Sequence, residues 1–193
     1  MPKQDRSAYS EDEIKALWVE APPVLNSTVT LAEYDARWPS LYEREAARIR
    51  AALGERVELL EHVGSTSVPG LCAKPIIDVL LVVADADDEP AYLPALAAAG
   101  YRLVIREPGH RALKGPDTNM NLHVHSSGSA EIDRLLRFRD RLRANDSDRD
   151  LYARTKRELA ARTWKYIQNY ADAKTGLIDD ILSRAVLDTG TRT

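Results

Sequence analysis

Cysteine is nearly absent from this sequence, since Cys72 is the only thiol in its 193 residues. One thiol cannot form a disulfide within the chain, so the disulfide framework of many small secreted domains is excluded. The roughly 18 consecutive apolar residues that a membrane helix needs are also missing, and the polar segment 1–15 has no apolar leader core. We therefore predict a cytoplasmic protein with no membrane partner.

An excess of charge of one sign is absent as well, because 27 Lys and Arg residues face 30 Asp and Glu residues. The resulting net charge of -3 argues against a protein that grips nucleic acid across its whole surface. Hydrophobic residues make up 44% of the chain and charged residues 30%, a composition that argues against extensive disorder. At this length one hydrophobic core suffices, so we predict a single domain over residues 1–193.

Patterns typical of strands and helices alternate along the first two thirds of the chain, and helical patterns dominate after Glu131. Ser10 and Glu13 have the spacing of a capping box, which predicts a short helix. Strands are predicted at STVTLAEY, RVELLEHVG, PIIDVLLVV, YRLVIRE, HRALKG and TNMNLHVHS. Helices are predicted at DARWPSLYEREAARIRAALG and DEPAYLPALAAAG, and from Glu131 almost to the end, with breaks near ANDSD and KTG.

This order of elements predicts an α/β (α+β) protein in which a helical C-terminal part packs on a sheet core. We place an N-terminal extension at residues 1–24, the sheet core at 25–127 and the helical part at 128–193.

The segment EHVGSTSVPGLCAKPIIDVLLVV, residues 61–83, carries the strongest chemical signal. Asp78 interrupts an apolar strand, where an unpaired carboxylate would be heavily penalised, so it should face a cleft, accept hydrogen bonds or hold a cation. The preceding turn offers a flexible glycine, three hydroxyls and successive N–H groups suited to phosphate oxygens. Its residues are Gly64, Ser65, Thr66 and Ser67. Lys74 could neutralise a bound anion or simply pair with Asp78.

His123 and His125 lie two residues apart on a predicted strand, so both imidazoles project from the same face. With Asp78 they could hold a transition metal such as zinc or manganese, because imidazole suits those ions. One of them could instead act as a general base or contact phosphate. Two histidines that merely cover the edge of a sheet would show the same pattern, so these alternatives remain open.

Several other cations could border the same cleft or belong to a solvated face. Arg111 and Lys114 lie on the strand predicted at HRALKG. Five arginines lie along the helix predicted at EIDRLLRFRDRLRAN, and such a row can bind the phosphates of RNA. A row of this kind is more often paired with nearby acids, which is the interpretation we favour, so RNA is not an expected partner.

The segment 61–83 resembles the signature of the GrpB family, and NLHVH, FRDRLRAN and the tyrosine and lysine of LYARTKREL match it too. This resemblance implies a nucleotidyltransferase-like fold, with Gly64 and Ser65 at the triphosphate and Asp78 on a divalent metal, usually magnesium. Leu80 stands where that superfamily has its second carboxylate, and TNMNLHVHS has no third. The family also occurs fused to dephospho-CoA kinase and is sometimes described as a protein-folding accessory.

We therefore predict a protein that binds a nucleotide or another phosphorylated small molecule, with a divalent metal (magnesium, manganese or zinc). Asp78, His123 and His125 are the predicted catalytic and metal-binding residues. The phosphate would be bound by the four residues of the turn together with Lys74, Arg111 and Lys114. The alternative is a non-catalytic accessory module whose partner is an enzyme of coenzyme A synthesis or whose role lies in protein folding.

Overall fold

The computed structural model describes residues 8–190, with side chains described through residue 185, and shows a mixed α/β protein. The helices are α1 (Glu11–Leu17), α2 (Trp38–Leu53), α3 (Glu89–Ala98), α4 (Ala130–Ala144), α5 (Asp146–Ala160), α6 (Ile167–Asp172) and α7 (Thr175–Gly190). The strands are β1 (Val24–Ser27), β2 (Leu59–Val63), β3 (Ile77–Val83), β4 (Arg102–Glu107), β5 (His110–Lys114), β6 (Met120–Ser126) and β7 (Trp164–Tyr166).

Five strands form the main sheet in the order β2-β3-β6-β5-β4. Only the β3–β6 pair of this sheet is parallel, and the other three pairs are antiparallel. The chain covers the distance between the two parallel strands through α3 and the β4–β5 hairpin, so residues far apart in sequence become neighbours. The mixed α/β class predicted from the sequence is confirmed.

The two faces of this sheet differ in chemistry. Helices α2 and α3 cover one face through a large apolar cluster that includes Ile49, Leu53, Val79, Leu81, Leu96 and Leu122. Helix α4 covers part of the other face, where Ile132, Leu135 and Leu136 pack on Val63, Leu80 and Val82. On β5 and β6 that second face is mostly polar, because strand residues alternate between faces and every second position is polar except Ala112. The candidate site lies there.

Two predictions about secondary structure are wrong. The strand predicted at residues 27–34 does not form, because the backbone there bonds to single partners: Val29 N–H donates to Ala160 and Ala32 pairs with Ala73. A strand lies just before it, at β1, and pairs antiparallel with β7. Strand β7 in turn interrupts the region predicted to be helical after Glu131. The breaks predicted near residues 145 and 174 are confirmed at the α4–α5 and α6–α7 boundaries.

Helices that could cross a membrane are not found among residues 8–190, where none is both long enough and apolar enough. Cys72 is buried, as expected for a thiol that packs as a small hydrophobe.

The turn between β2 and β3 brings backbone into contact with Asp78. Gly64 has φ 68° and ψ -174°, a conformation that is almost restricted to glycine. A Cβ atom at this position would lie 2.9 Å from the Cβ atom of Asp78 and closer still to its carboxylate. Gly70, further along the same loop, also has a positive φ (77°), but a Cβ atom there would meet nothing within 4 Å.

We expect Gly64→Ala to lower the free energy of unfolding by about 2 kcal/mol or more, because it adds a collision with Asp78 to the backbone strain. Gly70→Ala is the matched control, since it adds backbone strain of roughly 1–2 kcal/mol without a collision. Urea unfolding of the three proteins measures both effects. Equal losses in the two variants would contradict the close approach of Gly64 to Asp78.

Candidate functional site

Asp78 lies at the start of β3, next to the polar end of β6. Its Oδ1 atom accepts a hydrogen bond from Asn121 Nδ2 at 2.7 Å and lies 3.8 Å from His123 Nε2. Burial alone would raise the pKa of Asp78, but a protonated His123, the hydrogen bond from Asn121 and the charge of Lys74 outweigh that effect and lower the pKa below its usual value. Asp78 is therefore ionised at neutral pH and is the one acid at the centre of the site.

The hydroxyls of the turn have different partners. Thr66 donates to the backbone oxygen of Ile76 at 3.1 Å, and Ser67 donates to that of Gly64 at 2.6 Å. These two side chains stabilise the turn itself. The side chain of Ser65 lies close enough to Tyr152 of α5 to oppose the rise that burial causes in the pKa of that phenol, so its hydroxyl faces the C-terminal helices.

The opposite side of the turn is fixed by β2 and α2. The imidazole of His62 lies 3.0 Å from the hydroxyl of Thr66 and stacks on the ring of Tyr42, with ring centroids 4.9 Å apart. Burial lowers the pKa of His62 to about 4, so the ring is neutral. A cavity of about 430 Å³ borders His62 and Ser67 on this side, away from Asp78. His62 thus packs against the side of the turn that faces away from Asp78, and its contacts there are structural.

Four lysines interact electrostatically with Asp78, and we call this group the lysine hollow: Lys74, Lys114, Lys156 and Lys174. Lys114 donates to the side-chain oxygen of Asn121 at 2.6 Å. Lys156 is 3% exposed and donates to the backbone oxygen of Cys72.

Lys174 is 8% exposed and donates to the backbone oxygen of Tyr170 at 2.8 Å. Its ammonium lies 3.7 Å from the centre of the Tyr170 ring, and that of Lys74 lies 5.9 Å from the same point. The two ammonium groups therefore share one aromatic ring.

These four ammonium groups have no close counter-charge among the described residues. Within the described part of the chain, none of them has a carboxylate oxygen within 4.0 Å. Burial lowers the pKa of Lys156 to about 8 and that of Lys174 to about 7, and the charge of Asp78 only partly offsets the effect. Burial also lowers the pKa of Lys74 and of Lys114. Among the described residues, the lysine hollow is therefore a group of four amines without a close acid, and two of them, Lys156 and Lys174, release their protons more readily than an ordinary lysine.

Three histidines stack on the same face of the sheet, and we call them the histidine row: His110, His123 and His125. The ring of His110 lies parallel to both others, with centroids 4.5 Å from His125 and 5.4 Å from His123, each at an angle of 13°. Only His123 approaches Asp78. His125 is buried against His110, and burial lowers its pKa to about 3.

Not every predicted site residue lies at this place. Arg111 is on the opposite face of the sheet, because strand residues alternate and its neighbour His110 belongs to the histidine row. Its guanidinium is buried and pairs with Asp87 at 2.9 Å and with Glu89. The structure therefore does not support the predicted role of Arg111 in phosphate binding. Asp78, Ser65, Lys74 and Lys114 do lie together.

The residues present do not form a metal site with three protein ligands. No group of three or more His, Cys, Asp or Glu side chains suited to a metal ion occurs among residues 8–190. Asp78 and His123 are close, but His125 stacks on His110 instead of joining them. Leu80, in place of a second acid, is fully buried in the apolar cluster under α4. The predicted resident metal remains a prediction that this geometry does not favour.

The arginines of α4 are engaged with the protein itself. Arg134 donates to Asp179 at 2.9 Å, Arg139 to Glu61 at 2.7 Å, and Arg143 to the backbone oxygen of Ser67 at 2.8 Å. A row of guanidinium groups held in this way ties α4 to the sheet and to α7. This supports the interpretation that it is a paired face of the helix.

Sequence reasoning did not place the cations of the C-terminal helices at the site, although Tyr152 and Lys156 belong to the family match. Tyr152 and Lys156 are four residues apart on α5, and Tyr170 and Lys174 have the same spacing, so in each pair the two side chains lie on one side of the chain. The repeated spacing was visible in the sequence. What the sequence did not show is that both pairs face Asp78.

Several known proteins are similar to this chain over most of its length. The UPF0157 protein BH1888 of Halalkalibacterium halodurans is 57% identical over 192 residues, covering 96% of this chain and 98% of the relative. The UPF0157 protein SCO7215 of Streptomyces coelicolor is 49% identical over 157 residues, covering 81% and 84% of the two chains. The crystal structure of the conserved protein GrpB from Enterococcus faecalis has a TM-score of 0.72 at 32% identity, covering 83% and 99%.

The family model described as GrpB protein matches residues 28–184, which include every part of the lysine hollow and of the histidine row. The chain belongs to the GrpB family. This confirms the resemblance that segment 61–83 carries.

The lowered pKa of Lys174 predicts a specific dependence of stability on pH. Near and below pH 7 the folded protein must bury a charged ammonium, whereas the unfolded chain holds the same proton at no cost. Above pH 7 the folded protein releases this proton before the unfolded chain does, so stability rises until the ordinary pKa of 10.5 is approached. Lys174→Met removes the charge and keeps most of the side chain.

Between pH 6.5 and pH 9, we expect the free energy of unfolding of wild type to rise by more than about 1 kcal/mol relative to that of Lys174→Met. Chemical unfolding at several pH values measures the difference. Lys165→Met is the control, because Lys165 is half exposed and pairs with Glu11 at 2.6 Å. If the unfolding free energies of wild type and Lys174→Met changed by the same amount over this pH range, Lys174 would not be a buried cation.

Proposed function

We propose that this protein binds a phosphate-bearing small molecule, with a nucleotide as the leading candidate, in the lysine hollow beside Asp78. The observation that carries the proposal is the convergence of four unpaired lysines on a single carboxylate. A ligand with several negative charges would neutralise this excess, and a polyphosphate chain has both the charge and the length to reach more than one ammonium.

The treatment of buried charge elsewhere in the chain supports this proposal. Asp148 is buried and pairs with both Arg141 and Arg184, at 2.6 and 2.7 Å. Buried Arg111 likewise has its acids close by. Buried charges are costly unless they are paired, so the unpaired cations of the lysine hollow call for a partner that comes from outside the chain.

Two further groups suit a bound phosphate compound. The hydroxyl of Tyr170 is buried and has no hydrogen-bond partner among the described residues. A buried donor of this kind costs free energy unless something accepts its hydrogen, and phosphate oxygens are strong acceptors. The turn at Gly64 and Ser65 adds backbone N–H groups close to Asp78, in an arrangement suited to anions.

Transfer of a nucleotidyl group is not part of this proposal. The two-metal chemistry of such transfers needs several carboxylates, and no second acid lies beside Asp78 in the part of the chain that the structure describes. A magnesium ion could still arrive with the nucleotide, because magnesium is often held by one carboxylate together with substrate phosphates. The experiment below therefore compares binding with and without magnesium.

We expect calorimetry to show that ATP and inorganic tripolyphosphate bind, that AMP binds more weakly, and that Lys156→Met and Lys174→Met each lose affinity by about tenfold or more. The lost ammonium groups are the physical cause. Lys165→Met is the matched control and should bind as wild type does, since its side chain points to Glu11 on the surface.

Proton uptake gives a second, independent measurement. A bound anion favours the charged form of Lys156 and Lys174, so near pH 8 the complex should take up protons. Titrations in buffers with different ionisation enthalpies measure this uptake, and it should shrink in either lysine variant. If a folded wild-type protein bound none of these compounds, with or without magnesium, the proposal would be wrong and the accessory-module hypothesis would take its place.

A further inference from the structure

A chain of close contacts leads from Glu107 on β4 to Asp78. Glu107 accepts a hydrogen bond from the hydroxyl of Tyr9 at 3.1 Å, and its other oxygen lies 2.7 Å from His110 Nδ1. His110 Nε2 lies 3.2 Å from His123 Nδ1. The far nitrogen of His123, Nε2, then faces Asp78 Oδ1 across 3.8 Å. Glu107 and His110 were not among the residues predicted from the sequence.

The protonation of Glu107 determines where each hydrogen lies in this series of contacts. The hydrogen bond from His110 lowers the pKa of Glu107, so Glu107 is a carboxylate and can only accept. His110 must then carry its hydrogen on Nδ1. Burial lowers the pKa of His110, which leaves the ring neutral at pH 8 and its Nε2 atom an acceptor. His123 must therefore donate through Nδ1.

A neutral His123 that carries its hydrogen on Nδ1 has a lone pair on Nε2. That lone pair faces the carboxylate of Asp78, so two acceptors lie opposite each other at a distance too long for a hydrogen bond. Asp78 Oδ1 already accepts from Asn121, so Nε2 of His123 is the acceptor that needs a donor. The ring of His123 is 30% exposed and can be reached by a ligand. A hydroxyl group carries the one hydrogen that Nε2 can accept.

We propose that Glu107 and His110 are positioning residues, which hold His123 in the tautomer whose Nε2 atom accepts a hydrogen bond from a hydroxyl of the bound ligand. The ligand part of this inference rests on the proposed function. It narrows the substrate class to phosphate compounds that also carry a hydroxyl, such as the sugar hydroxyl of a nucleotide. His125 has a supporting role, because its neutral ring stacks on His110 and keeps the histidine row parallel.

The tautomer is tested without any ligand. In ¹⁵N NMR spectra of the imidazole nitrogens at pH 8, His123 should show a protonated Nδ1 and an unprotonated Nε2 in wild type. Glu107→Ala removes the acceptor that fixes His110, so the carboxylate of Asp78 should then draw the hydrogen of His123 to Nε2. Glu107→Gln is the conservative control, because its amide oxygen still accepts from His110 and should preserve the wild-type tautomer.

A backbone amide spectrum that matches wild type would show that the Glu107→Ala variant is folded. Protonation of Nε2 in wild-type His123, or an unchanged tautomer in folded Glu107→Ala, would overturn the positioning role. This result is independent of binding, so it can fail while the proposed function holds, or hold while the proposed function fails.

The hydroxyl is tested by comparing two ligands. His123→Ala should weaken the binding of ATP by about tenfold while leaving the binding of inorganic tripolyphosphate nearly unchanged, because the latter has no sugar hydroxyl. Equal losses for the two compounds would show that His123 contacts phosphate, and would overturn the hydroxyl assignment.

Discussion

The contact between the Gly64 backbone and the Asp78 carboxylate is the constraint on which the candidate site depends. The antiparallel pairing of β2 with β3 sets Val63 opposite Asp78, so the turn that follows must bend back over the carboxylate. No side chain can be accommodated at residue 64 in that geometry. The hydroxyls of Thr66 and Ser67 then close the turn on itself, which leaves Ser65 facing α5 and the lysine hollow. The lack of a side chain at Gly64 thus allows the turn to lie against Asp78 and to place Ser65 beside it.

The site combines one carboxylate with several buried lysines. Asp78 is the acid at the centre, and it partly compensates the lysines around it without forming a close ion pair with any of them. The C-terminal helices contribute the two most buried of these cations, Lys156 and Lys174, whereas the sheet contributes Asp78 and the histidine row. The site therefore belongs to neither part alone. It exists because the C-terminal helices pack on the loop between the turn and β3, which brings their lysines near Asp78.

The local pattern of the sequence predicted most strands of the sheet, helices α2 and α3, and the clustering of Ser65, Lys74, Asp78 and His123. Those features depend on periodicity or on a short segment of chain.

The predictions that failed depend on distant partners. Arg111 and Lys114 were both predicted as cations that could border the cleft, but residues three apart on a strand point to opposite faces. The strand predicted at residues 27–34 could form only with a neighbour that the fold does not provide. Lys156 and Lys174 were not placed at the site because helix packing decides what they face.

The parallel pairing of β3 with β6 also has a consequence for the way the protein folds. Asp78 and Asn121 are direct neighbours in the register, yet α3 and the β4–β5 hairpin separate them along the chain. A segment of that length loses much conformational entropy before its ends meet, so the pairing forms late relative to the local hairpin contacts. A nascent or partly denatured chain can thus contain native-like helices and hairpins while its ligand site has not yet been assembled.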